Sequence, residues 1–138
     1  MKTVVESFFR ELVDAGNLDA IDDLVARDYV GHFPGMDDVQ GPSGLRSLME
    51  MYNGGFSDRS MRIHDLIGED DRVAARLTFT ATHSGEVAGI APTGARVEVD
   101  EMNIFRFVQG RIAEHWVVED DLALLRQIGA TALPGEDE

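Results

Sequence analysis

The stretch "ARVEVDEMNIFRFVQGRIAEHWVVEDDLALLRQIG", residues 95–129, contains two strand patterns and a helix pattern in direct succession. The segments "ARVEVDEMNIFRFV" and "RIAEHWVV" are typical of strands, and the "QG" between them is typical of a tight turn. The following "DLALLRQIG" carries apolar residues at helical spacing and ends at Gly129, a residue that favours helix termination. We therefore predict an antiparallel strand pair followed by a closing helix.

Two further strand patterns precede this stretch. In "RVAARLTFTATH", residues 72–83, one face is apolar and ends in His83, while the other face is mostly Arg and Thr. The segment "MRIHDLIGE", residues 61–69, also alternates, whereas "SGEVAGIAPTG", residues 84–94, is a long connection. The four segments together predict a meander of long antiparallel strands, which curves.

Helical patterns occupy the first part of the chain. Residues 2–15 and 17–29 carry apolar residues at helical spacing, and residues 44–55 do so after Ser43, which is a candidate N-cap. Residues 30–42 are rich in Gly, Pro and Asp, so we expect them to be mostly loop.

Helices followed by strands indicate an α+β fold. We predict a curved antiparallel sheet wrapped around the N-terminal helices, forming a cone-shaped α+β barrel with a central pocket. No repeat or linker divides the chain, so we predict a single domain over residues 1–130 and a flexible acidic tail over residues 131–138.

Composition excludes several classes of function. The formal net charge is −14, and such a surface repels nucleic acid and anionic membranes. Cysteine is absent, so disulfides and thiolate metal sites are excluded. Neither a signal peptide nor a membrane-spanning run is present, and we expect a cytoplasmic protein.

Familiar catalytic motifs are also missing. The sequence has no nucleophile elbow, no phosphate-binding loop and no H-E-x-x-H. The four histidines are far apart and lack the spacing of metal ligands, so we predict no metal site.

Strand parity sorts the candidates around residue 116. In a regular strand Glu114, Trp116 and Asp120 share one face, and His115 and Glu119 share the other. Trp116 is the largest apolar side chain, so we take its face as the inner one. A bulge would exchange the two faces.

The acids at 119–121 have two possible roles. Acids before "LALL" can cap the helix and interact favourably with its dipole. One of them could instead carry protons in the pocket. We assign the cap to Asp121 and the pocket to Asp120, and expect Glu119 to face outward.

The chain resembles SnoaL-like polyketide cyclases of the nuclear transport factor 2-like, or cystatin-like, superfamily. The resemblance runs from about residue 5 to residue 130, and its most specific parts are "G-x-x-PTG" at 89–94 and "G-R-I-x-E-H-W…D" at 110–120. It implies cofactor-free acid/base chemistry, in which a hydrophobic carbonyl compound closes a ring by intramolecular aldol condensation. The family's acid/base aspartate falls on Asp120. The resemblance also implies a homo-oligomer, expected as a dimer that packs through the outer face of the sheet.

Further side chains complete the predicted site. His32 is a candidate hydrogen-bond donor at the pocket, although a solvated loop histidine fits its position equally well. Trp116 is expected to form the wall of the pocket and His83 to lie at its rim. We expect His115 to contact substrate only if the strand bulges, and otherwise to be a packing residue or to lie at a subunit interface. The remaining candidates for substrate contact are aromatic or thioether side chains: Met51, Tyr52 and Phe79.

Two other functions remain open. The same cavity could serve a non-catalytic homodimeric binder of a small apolar ligand. Epoxide hydrolysis occurs on this type of cone, but it needs an Asp–Arg–Asp set that the sequence does not supply convincingly. The cyclase hypothesis predicts that Asp120→Asn abolishes activity without loss of thermal stability.

Overall fold

Six strands form one sheet in the computed structural model, which describes residues 1–129. The strands lie in the order β2-β1-β6-β5-β4-β3 and are bounded as follows: β1 Val25–His32, β2 Val39–Gln40, β3 Phe56–Glu69, β4 Arg72–His83, β5 Arg96–Val108 and β6 Arg111–Glu119. The α+β class and the sheet wrapped around N-terminal helices are therefore confirmed. The sheet is mixed rather than purely antiparallel, because β1 pairs with β6 in parallel, and β2 and β3 are its two edges.

The helices pack on one face of this sheet. They are α1 Lys2–Phe8 with its π-helical continuation Phe9–Asp14, a 3-10 turn Leu18–Ala20, α2 Ile21–Leu24, α3 Gly41–Gly55 and α4 Asp121–Gln127. Helix α3 begins at Gly41 with Pro42 in its first turn, so the prediction that Ser43 caps it is wrong. Proline suits this position because its missing N–H has no helical partner there.

The prediction of one helix over residues 17–29 and a loop over 30–42 is also wrong. A 3-10 turn and one turn of α2 end at Leu24, and the chain then enters β1. The register of β1 against β6 shifts between Val25 and Val30, which breaks the alternation by which a strand is recognised in a sequence.

The predicted meander is confirmed, with strands longer than their sequence patterns suggested. Strand β3 starts at Phe56, five residues before the predicted segment. A register shift between Ile63 and Asp65 changes its parity, so that Leu66 faces inward and Ile67 is 66% exposed.

The core lies between the helices and the inner face of the sheet. A large cluster fills one end and includes Leu12, Leu45 and Phe105, all fully buried. A smaller cluster at the other end packs α4 against β4 and β5. Residues 130–138, which include the predicted tail, lie outside the described part of the chain. Among residues 1–129, no helix has both the length and the apolar character needed to cross a membrane.

Candidate active site

A cavity opens between the inner face of the sheet and the helices. Its volume is about 700 Å³ with its solvent-open mouth included. Most of its wall is apolar, and five phenylalanines contribute to it: Phe8, Phe9, Phe33, Phe56 and Phe79. Such a cavity favours a hydrophobic ligand held by a few polar groups.

Two carboxyl groups project into this apolar cavity. Glu101 on β5 and Glu119 on β6 are direct cross-strand partners, and both line the cavity wall. Burial raises the pKa of Glu101 to about 7. Burial, with the nearby charges of Glu101 and Asp121, raises the pKa of Glu119 to about 8. Near neutral pH the pair can therefore hold one proton, with one group able to accept a proton and the other able to donate one.

A chain of buried hydrogen bonds ends at this pair. The Tyr29 hydroxyl lies 3.3 Å from Nδ1 of His115, and Nε2 of His115 lies 2.6 Å from Oδ1 of Asn103. Nδ2 of Asn103 donates to Oε1 of Glu101 at 3.0 Å. Complete burial lowers the pKa of His115 to about 3, so its ring is neutral at physiological pH. The ring also stacks on Phe105 with centroids 4.1 Å apart, which fixes its plane.

The other polar groups of the wall belong to α3 and β3. The hydroxyl of Tyr52 donates to Oε1 of Glu119 at 3.4 Å. Asn53 donates to the carbonyl of Leu12, and Arg59 donates to backbone carbonyls, including that of Phe56 at 2.7 Å. Among the described lining residues, Arg59 is the one cationic side chain. Its N–H groups bind the backbone carbonyls of Val13, Asn53 and Phe56, which lie near the ends of helices.

Asp120 does not line this cavity. Its side chain is exposed, and its Oδ1 accepts a hydrogen bond from the backbone N–H of Ala123 at 3.0 Å, so Asp120 is the N-cap of α4. The positions predicted for the acids are therefore exchanged: Glu119 faces the cavity, Asp120 caps, and Asp121 lies in the first turn of α4 next to Glu119.

A β-bulge precedes these residues in β6. Arg106 pairs with Glu114 and Phe107 pairs with Ile112, so Ala113 is an extra residue in β6. Beyond the bulge, His115, Val117 and Glu119 face the cavity. The inner face predicted from Trp116 is wrong, because Trp116 lies on the outer face between the His32 ring and the Arg72 guanidinium. Residues 114 to 119 keep their predicted alternation.

His32 also lies on the outer face. Its ring stacks on Trp116 with centroids 5.5 Å apart, and its two nitrogens lie 2.8 Å from Asp38 and 2.7 Å from Glu114. The hydrogen bond to Glu114, followed by that to Asp38, raises the pKa of His32. Arg106 completes the cluster by binding Glu114 at 3.2 Å. The carboxylates thus hold His32 away from the cavity in which it was predicted.

The remaining residues predicted to contact substrate fall into two groups, one that lines the cavity and one that does not. Tyr52, Phe79 and His115 line the cavity, so the structure brings three of the candidates together. Met51 is 59% exposed on α3, because helical spacing places it on the opposite side from its buried neighbours. His83 is fully buried behind the wall and does not form its rim, because its Nδ1 is bound to Thr93 of the 84–94 connection.

Sequence reasoning missed Glu101 and Asn103 as site residues. The signal was present in β5, where Val97, Val99, Phe105 and Phe107 share a parity with them and are all buried. Two polar residues inside an otherwise apolar face of a strand indicate a functional cavity more directly than acids at a helix start. Within residues 1–129, no group of three or more His, Cys, Asp or Glu side chains is arranged to hold a metal ion.

Comparison with known proteins gives the family. The model of the SnoaL-like polyketide cyclases matches residues 3–128. The chain belongs to this family. The recognition made from the sequence motifs is thereby confirmed over nearly the whole chain.

Several relatives share most of its length. Aklanonic acid methyl ester cyclase AcmA from Streptomyces galilaeus is 28% identical over 124 residues, which cover 86% of this chain and 84% of the relative. Nogalonic acid methyl ester cyclase from Streptomyces nogalater is 26% identical over 119 residues, covering 84% and 88% of the two chains. Among solved structures, TsrD from Streptomyces laurentii has a TM-score of 0.84 at 29% identity and covers 94% of each chain. At these identities the comparisons support a cyclase-like enzyme and leave its reaction to be tested.

Proposed function

We propose that this member of the SnoaL-like family closes a ring in a hydrophobic polycarbonyl compound by intramolecular aldol condensation, with Glu101 and Glu119 as its acid/base pair and without a cofactor. The observation that carries the proposal is the pairing of the buried Glu101 carboxyl group with the half-buried Glu119 carboxyl group inside a phenylalanine-rich cavity. A carbon between two carbonyls is acidic enough for a carboxylate of raised pKa to deprotonate. The cavity orients the chain so that the reacting carbons meet.

The relatives suggest the first substrates to try. Aklanonic and nogalonic acid methyl esters are named in two related cyclases, and we propose compounds of this class for this chain. An aldol addition that closes a ring keeps the mass of the substrate, and the dehydration that completes a condensation removes one water, whereas hydrolysis adds a water. Chromatography with mass detection therefore identifies the reaction type.

Neighbouring acids provide a matched pair of variants. Glu119→Gln keeps the shape of the side chain and removes its proton chemistry, so kcat/KM should fall by about 100-fold or more. Asp120→Asn keeps a good N-cap, so activity should stay within a few-fold of wild type. Activity that survives Glu119→Gln and disappears in Asp120→Asn would restore Asp120 as the acid/base predicted from the sequence. Tight binding of both esters without turnover would favour the non-catalytic binder.

We also propose that a second copy of the chain covers the outer face of the sheet. Cross-strand pairing places Met102 beside Val118 and Ile104 beside Trp116, which makes one continuous apolar patch on β5 and β6. Three of these side chains are more than 40% exposed: Met102, Ile104 and Val118. An exposed apolar patch that pairs with itself about a twofold axis suits a homodimer.

A further inference from the structure

The two carboxyl groups of the cavity have different surroundings. Glu101 receives an N–H from Asn103, which is held in turn by His115 and Tyr29. Glu119 lies between the carboxyl groups of Glu101 and Asp121. A hydrogen-bond donor stabilises a carboxylate, and neighbouring negative charges destabilise one. These different surroundings therefore determine which of the two carboxyl groups keeps the proton.

The direction of the hydrogen bonds can be worked out from Tyr29. Its hydroxyl is fully buried, and burial raises the pKa of Tyr29, so the group keeps its hydrogen and must donate it. Among the described residues its side-chain partner is Nδ1 of His115, which must accept. A neutral imidazole that accepts at Nδ1 carries its hydrogen on Nε2 and donates it to Oδ1 of Asn103. The amide of Asn103 is then oriented with its NH₂ group toward Glu101.

Glu119 has the opposite environment. The charges of Glu101 and Asp121 both favour its protonated form, and a protonated Glu119 can donate to Asp121. The Tyr52 hydroxyl is its one neutral donor among the described residues, at a long 3.4 Å. Glu119 is therefore the member of the pair that holds the proton.

We propose that Asn103 is a positioning residue that keeps the negative charge of the pair on Glu101, so that Glu101 is the base of the reaction and Glu119 is the acid. His115 and Tyr29 act through Asn103 by fixing which way its amide points. This assignment rests on the proposed aldol function and divides its two proton transfers between named groups.

The proton balance closes with these roles. The carboxylate of Glu101 takes the proton from a carbon between two carbonyls, and the C–H electron pair becomes the enolate. The enolate carbon bonds to the carbon of a second carbonyl, whose π pair moves onto its oxygen. That oxygen takes the proton of Glu119. The proton gained by Glu101 then passes to Glu119, its direct cross-strand partner, and the pair is restored.

The decisive experiment measures the tautomer of His115 in the wild-type protein. Two-bond ¹H–¹⁵N correlation spectra of ¹⁵N-histidine-labelled protein show which ring nitrogen carries hydrogen, and loss of a signal in His115→Gln assigns it. We expect hydrogen on Nε2. Hydrogen on Nδ1 would mean that the amide of Asn103 is reversed and accepts from a protonated Glu101, which overturns the assignment. This measurement needs no substrate, so the expected tautomer combined with absent turnover would contradict the proposed function alone.

A variant tests the positioning role. Asn103→Leu removes the donor from Glu101, so the acidic limb of the kcat/KM profile should move up by about one pH unit. Asn53→Leu is the matched control, since Asn53 lines the same cavity but donates to a backbone carbonyl. The control should leave the pH midpoint of the acidic limb unchanged, whatever its effect on KM. An unchanged midpoint in Asn103→Leu overturns the proposal, and if that variant fails to fold, the tautomer in wild type decides.

Discussion

Glu101 and Glu119 face each other across β5 and β6. Burial raises the pKa of both carboxyl groups, and the charge of Glu101 further raises the pKa of Glu119. In the unfolded chain both ionise near pH 4.5, whereas in the fold they remain protonated to about pH 7 and 8. The folded state thus binds more protons between these limits, and their contribution to stability is lost as pH rises through that window.

This relationship predicts the pH dependence of stability. Glu119→Gln removes the group with the higher pKa, so the variant should gain melting temperature relative to wild type as pH is raised from 5 to 8. One group contributes about 1.4 kcal/mol per pH unit at most. Calorimetry of both proteins at several pH values measures the difference. A difference that does not change with pH would show that Glu119 ionises normally.

The cap of α4 gives a second prediction. Asp120→Ala removes the acceptor for the N–H of Ala123 and should destabilise the protein by about 1 kcal/mol. Asp120→Asn should lower the stability by only about a few tenths of a kcal/mol, because asparagine caps a helix about as well as aspartate. Urea denaturation of the two variants tests this order. Equal losses would contradict a capping role.

The cluster on the outer face gives a third prediction. His32→Ala removes two ion pairs but no cavity contact, so turnover should stay within a few-fold of wild type. Because the pKa of His32 is raised, the stability it contributes is present below its unfolded value near 6.5 and lost as pH rises through the folded value. The melting temperatures of variant and wild type should therefore converge at alkaline pH. A loss of more than 100-fold in kcat would instead support the catalytic role predicted from the sequence.

The apolar patch gives a fourth prediction. Val118→Glu places a charge at its centre and should convert a dimer into a monomer, as measured by light scattering after size-exclusion chromatography. Met36→Glu is the control, since Met36 is 43% exposed in the loop between β1 and β2. A monomeric wild type, or an unchanged dimer in Val118→Glu, would contradict the proposed interface.

The meander and the helices at residues 2–14, 41–55 and 121–127 were predictable because each repeats its period over several turns or residue pairs. Strand β4 shows this best, since its alternation from Val73 to His83 continues without interruption in the structure. Strand β1 was not predictable, because its register shifts between Val25 and Val30 and its pairing partner lies at the far end of the chain.

The predicted site depended on which face of β6 was taken as the inner one. Ala113 is the extra residue of a bulge, and nothing in "GRIAEHW" marks it, because alanine is accepted on either face of a strand. The inner face was chosen from the size of Trp116, and regular alternation from the buried Ile112 through Ala113 leads to the same wrong face. Trp116 was therefore exchanged for His115, and Asp120 for Glu119. The alternation along β5 contains no such insertion, and extending it across the sheet would have identified the inner face.

The parallel pairing of β1 with β6 also bears on how the chain folds. Tyr29 and His115 are 86 residues apart, yet they share a buried hydrogen bond. During synthesis, β1 must wait for β6 to leave the ribosome before its parallel pairing can form. Helices α1 and α3 can form much earlier, with their apolar faces still uncovered. The last strand to be made therefore completes both the sheet and the cavity, and we expect slow folding that is sensitive to truncation before residue 119.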